Sequence, residues 1–159
     1  MRLFDKIVLL ISTIMILASA HSCSKLIRTI PKHKGIDPAF KAYASEFTLL
    51  TGKKLDNFSM GFANLPTKGP NQIIGMCWPT LFLRGEVDID KGFWQYTNKL
   101  QRRSLILHEL GHCVCLAAHD TSLYNNGCPK SHMFPTSVST WCIKKHGKQM
   151  DEDLIKKCK

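Results

Sequence analysis

The sequence predicts a single α+β domain. Three observations carry this. Two stretches place apolar residues at three- and four-residue steps, short alternating or apolar runs lie between them, and 159 residues suit one core rather than two. With 44% hydrophobic and 21% charged residues the chain can bury a core, which excludes disorder throughout. No 20-residue apolar run occurs beyond the N-terminus, which excludes a multi-span membrane protein.

Residues 1–20 read as a cleaved export signal: Arg2 and Lys6, then the apolar run Ile7 to Leu17, then Ala18-Ser19-Ala20 as a small-residue cleavage site. Cutting there removes Arg2, Lys6 and Asp5 from a chain of formal charge +10, so the remainder stays about nine charges positive. Ser22-Cys23 offers a second processing site, with Cys23 as an acylated first residue and a lipid anchor. Residues 21–36 form a basic lead-in, and 37–159 the folded domain.

Asp37-Pro38 signals a helix start, Phe40, Tyr43, Phe47 and Leu50 give its apolar stripe, and Gly52 closes it. Phe58, Met60 and Phe62 alternate with Ser59, Gly61 and Ala63 as a strand. Pro66 to Asn71 reads as a loop, Ile73 to Trp78 as a short apolar strand, and Leu81 to Asp90 as another. In that last run Val87 and Ile89 alternate with Glu86, Asp88 and Asp90. Leu100, Leu107, Leu110 and Val114 then make the buried stripe of a helix from about Thr97 to Leu116. Asp151-Glu152-Asp153 followed by Lys156-Lys157 suits the dipole of a short final helix.

Export makes the seven cysteines informative. In an oxidising compartment Cys77, Cys113, Cys115, Cys128, Cys142 and Cys158 can form up to three bridges, leaving Cys23 as the odd one. Fifteen pairings are open; Cys113 and Cys115, two apart on a helix, point apart and do not bridge each other. A Cys142–Cys158 bridge, clamping the last helix, is the expected pair. Lys144, Lys145 and Lys148 carry no interleaved aromatics, so the basic excess does not indicate nucleic acid.

The chemistry concentrates at His108-Glu109-Leu110-Gly111-His112. Residues i and i+4 stack one turn apart, about 6 Å along a helix axis, so two imidazoles can meet one ion. Zinc favours such nitrogens in tetrahedral sites, and a bound zinc makes water acidic enough for a carboxylate, here Glu109, to deprotonate it. This is the physical content of the HExxH pattern.

With His119 and Asp120 behind it, and Ser131-His132-Met133-Phe134-Pro135 further on, the run resembles a metzincin-type zinc metallopeptidase. The likeness spans about residues 37–136 and takes in Gly75-Met76-Cys77, the strand to Asp90, and Trp94, a set similar to that of small bacterial zinc peptidases. It implies a metzincin/zincin-like fold: a small mixed β-sheet packed on a zinc-binding helix and a second long helix. It also implies His119 as third ligand and Met133 in a methionine turn beneath the metal. The chain departs from the pattern in carrying Cys115 where the family usually has glycine, and in placing His119 one residue late.

For His119 to reach the metal the helix must end between Cys113 and Ala118, since continued helix would carry it about 10 Å past His112. Asp120 is then expected to accept a hydrogen bond from a ligand imidazole. Tyr124 is a weaker candidate, able to polarise a substrate carbonyl.

The expectation is therefore an exported zinc metallopeptidase. His108, His112 and His119 would bind Zn2+, and Glu109 would act as base and then acid. Its partner would be a peptide or protein substrate, met by a monomer, with membrane association only through a lipidated Cys23. Two other classes stay open: a secreted or surface binding protein with a structural zinc, which a fourth ligand at Asp120 would indicate, and a zinc amidase acting on cell-wall peptides.

Overall fold

Residues 32–68, 71–78 and 85–159 are described in the computed structural model, so the export signal, Cys23 and most of the basic lead-in lie outside the described residues. Helix α1 (Lys41–Thr51) is entered through a turn rather than directly from Asp37: the Asp37 side chain accepts from Ala39 N–H and its carbonyl from Phe40 N–H. Phe40, Ala44 and Phe47 are buried along one face, and Gly52 (φ 72°) ends the helix in the left-handed conformation that glycine adopts without Cβ strain.

Strands β1 (Ser59–Ala63), β4 (Gly75–Trp78) and β5 (Glu86–Asp90) form a mixed sheet in the order β1-β5-β4. β1 runs parallel to β5 and β4 antiparallel to it. The stretch read as a loop instead contains two very short paired strands, β2 (Thr67–Lys68) and β3 (Asn71–Gln72). Strands of two residues are too short to give any alternation signal.

The polar face of β5 is not solvated. Glu86, Asp88 and Asp90 are all buried, because the chain ahead of α1 and the following helix cover them. Glu86 accepts the backbone N–H groups of Lys32 and His33, and Asp88 accepts the Trp78 indole N–H and faces the His33 ring. Asp90 caps α2 (Lys91–Tyr96) by accepting from Phe93 N–H, a short helix the apolar periodicity did not reveal. Val87 and Ile89, on the opposite face, join Met60, Phe47 and the next helix in the main core.

Helix α3 (Lys99–Cys115) packs against the sheet, α1 and the last helix, so it is buried over most of its circumference from Ser104 to Gly111. The final helix, α4 (Thr140–Lys157), is capped by Ser139 and is the longest among the described residues. Its acidic residues therefore lie well inside the helix, away from its N-terminus; Asp151 pairs with Arg103 and His132, and Asp153 with Lys157.

Three disulfides join these parts: Cys77–Cys113, Cys115–Cys158 and Cys128–Cys142. They fit an exported protein of an oxidising compartment. The expected Cys142–Cys158 pair is wrong for a simple reason. Both residues belong to α4 or its cap, and sixteen helical residues separate them by about 24 Å, far beyond the roughly 7 Å limit for bridged Cα atoms. Cys113 and Cys115 do point apart, one to β4 and the other to α4.

Candidate metal centre and cleft

Asn98 fixes the start of α3, accepting from the N–H groups of Leu100 and Gln101 while the Gln101 side chain reaches back. The helix then sets His108 and His112 one turn apart, with ring centroids 4.5 Å from each other. His108 Nδ1–H donates to the carbonyl of His132 (2.8 Å) and His112 Nδ1–H to that of Ala117 (2.7 Å). A carbonyl can only accept, so these contacts put the proton of each ring on Nδ1. Both Nε2 atoms are left as acceptors, and they face each other at 3.0 Å. Two lone pairs that close repel unless a cation lies between them.

The helix ends within the expected window. Leu116 adopts a left-handed conformation (φ 54°), and Ala117 donates its N–H to the Gly111 carbonyl. Because His112 holds the Ala117 carbonyl, the same imidazole fastens the reversal that returns His119 to the site. Leu116 thus performs the turn for which glycine is the usual residue, at a cost of about 1–2 kcal/mol. The His119 ring lies 5.2 Å from that of His108 and 4.7 Å from that of His112. Their ligand atoms fall within 4.8 Å of one another, so these three residues could hold a metal ion.

Burial lowers the His108 imidazole to about 4, aided by the neighbouring His112 and His119 and opposed by its bond to the His132 carbonyl. Burial lowers His112 as well. Neutral rings keep their lone pairs available for coordination at neutral pH. Glu109, only 4% exposed, is pushed up to about 8 by burial. It sits against β4, where a Cβ on Gly75 would come within 2.4 Å of its Oε1. Gly75 is therefore the space Glu109 occupies, a role no spacing rule discloses.

Asp120 does not accept from the Nδ1–H of His108 or His112, the role expected of it. It accepts from Ser122 N–H (2.9 Å) and from Lys157 Nζ (3.0 Å), and the Ser122 bonds, then the Lys157 one, hold its carboxyl at about 2. The peptide carbonyls of His132 and Ala117 orient the rings instead, and every residue has a carbonyl, so no residue type could have signalled them. Met133 is fully buried with its Sδ against Gly111, under the turn between Glu109 and His112. Ser131 shapes that segment by accepting the Met133 N–H on its hydroxyl and the Phe134 N–H on its carbonyl. Tyr124 stacks on His146 and does not line the cleft.

The three histidines and Glu109 line a cleft of about 610 Å³ between β4, with Gly75 to Cys77, and the segment Phe134 to Val138. A second group, His33 with Glu86 and Asp88, also brings ligand atoms together, but these are engaged in the hydrogen bonds that hold the chain ahead of α1. Compared with known protein families, curated proteins and solved structures, the chain matches none.

Proposed function

We propose that the protein is an exported zinc metallopeptidase, with His108, His112 and His119 as the metal ligands and Glu109 as the general base. The observation that carries this reading is the meeting of three imidazoles, two with acceptor nitrogens fixed by carbonyls, beside a buried carboxylate in an open cleft. An all-nitrogen donor set of this kind suits zinc. Zinc bound there would act as a Lewis acid, polarising a carbonyl and making water more acidic. A cation held by the three imidazoles would offset the burial that raises the Glu109 carboxyl, and the ionised Glu109 would take the proton of the attacking water and return it to the departing amine. β4, one of the two edge strands of the sheet among the described residues, runs along the cleft and offers its backbone to an extended peptide.

A purely structural metal site would be closed by a fourth protein ligand. Asp120, the residue that a structural site would need as fourth ligand, is engaged by Ser122 and Lys157, which favours the catalytic reading. The metzincin-like reading of the fold rests on the helix motif, the returned His119 and Met133 beneath Gly111. The expected activity is hydrolysis of unstructured peptides by the purified, oxidised chain, abolished by a chelator and restored by zinc. A zinc-loaded chain that cleaves neither peptides nor cell-wall peptide fragments would overturn both the peptidase and amidase readings and leave a binding protein.

A further inference from the structure

His132 lies beside the ligand His108 yet is not a ligand, and its side chain is only 1% exposed. Its Nε2 faces Asp151 Oδ1 of α4 at 2.8 Å, and its Nδ1 faces Ser104 Oγ of α3 at 3.0 Å. A carboxylate only accepts, so Nε2 donates to Asp151, and in the neutral ring Nδ1 accepts from the Ser104 hydroxyl, which can donate or accept. Asp151 is itself held by Arg103, Nη1 to Oδ1 at 3.0 Å and Nη2 to Oδ2 at 2.9 Å. Arg103 Nε in turn reaches Glu46 Oε1 of α1 at 2.8 Å. Burial pushes the Asp151 carboxyl up, but its bonds to His132 and Arg103 outweigh that and keep it ionised.

The consequence appears one bond away. The peptide carbonyl of His132 accepts the Nδ1–H of His108, and this contact turns Nε2 of His108 toward the other imidazoles. Ser104 lies one turn before His108 on the same helix, and both line the cleft. The His132 side chain is thus pinned to two helices while its carbonyl is pinned to the ring that those helices position.

Resting on the metal reading above, we infer that His132 and Asp151 are positioning residues: their hydrogen bond sets the His132 carbonyl where it aims His108 at the metal. Ser104 supports the same arrangement from the other ring nitrogen. The peptide that carries this carbonyl is held from its other side by the Ser131 hydroxyl, which accepts the Met133 N–H, so the His132 side chain and Ser131 fix its rotation together.

The test uses the full oxidised chain, with Zn2+ affinity read by chelator competition and Co2+ by its visible absorption bands, which report ligand geometry. The parent is measured first. Asp151→Asn is expected to weaken zinc binding about tenfold or more, the low end of what partners of metal ligands typically contribute. Its cobalt bands should shift while the thermal midpoint of the metal-free protein stays close to the parent's. Ser104→Ala should shift the bands the same way with a smaller loss of affinity, and it decides the matter if Asp151→Asn does not fold. Glu46→Gln, at the outer end of the chain of contacts, should bind as the parent does. Parent-like affinity and spectrum in both folded variants would overturn the inference, as would affinity lost only in step with metal-free stability. A parent that binds neither ion would overturn the metal reading and this inference together.

Discussion

Replacing Gly111 with alanine sets two opposed effects against each other at the helix turn that carries the proposed metal ligands His108 and His112. In an exposed helix interior Gly→Ala stabilises by about 0.8–1.0 kcal/mol through backbone propensity. At Gly111, however, the new Cβ would lie 2.5 Å from Met133 Sδ, with Leu154 Cδ1 at 3.2 Å and Met133 Cε at 3.3 Å. Met133 Sδ would have to retreat by about 0.9 Å to regain the 3.4 Å of ordinary contact, and Met133 is fully buried. Overpacking of this kind costs about 1–3 kcal/mol, so the net expectation is a destabilisation of up to about 2 kcal/mol. Because Met133 follows His132, whose carbonyl holds His108, metal affinity should fall as well. Denaturant unfolding of the oxidised protein measures the first effect and chelator competition the second. Gly111→Ala stabilised by about 1 kcal/mol, as propensity alone dictates, with parent-like metal affinity, would refute the packing of Met133 beneath the helix.

Other consequences can be checked directly. Glu109→Gln should keep its metal yet lose hydrolysis by about 10²–10⁴-fold, the usual contribution of a positioned base; turnover at the parent rate would remove Glu109 from the mechanism. His119→Ala should weaken zinc retention by more than the roughly 10–100-fold typical of a supporting partner, and Asp120→Asn far less, with the reverse order pointing to Asp120 as ligand. Asp120 has its carboxyl lowered from 3.8 to about 2, so its contribution to stability is present above 3.8 and lost as pH falls through about 2. Thermal midpoints of the metal-free protein should drop across that window, and Asp120→Asn should shallow the drop; an unchanged slope in the variant would dissociate Asp120 from acid lability.

Much of the scaffold could be read from local pattern. The periodicity of Phe40 to Leu50 and of Leu100 to Val114 located α1 and α3, and the alternation at Phe58–Phe62 located β1. The same alternation misleads at β5 if its polar partners are taken as solvated, because only tertiary structure shows that Lys32 and His33 close over Glu86 and Asp88. The six cysteines do form three bridges, but the Cys142–Cys158 pairing failed for a related reason: it depends on where α4 runs, and the sequence understated its length. At the candidate site the imidazole spacing followed from helix geometry, whereas the place where α3 ends was expected only because the family resemblance makes His119 a ligand. The orienting carbonyl of His132, the space made by Gly75 and the engagement of Asp120 with Lys157 are long-range contacts, and the carbonyl of Ala117, though only five residues from His112, is a backbone group; nothing in the residue types announces any of them.

The most direct test of the central claim is the metal stoichiometry and ligand set of the purified, oxidised chain, by elemental analysis and X-ray absorption. One zinc per chain is expected, held by three imidazole nitrogens at about 2.0–2.1 Å with the fourth position free of protein ligands. Absence of zinc after exposure to stoichiometric metal, or a shell completed by a protein carboxylate or sulfur, would contradict it.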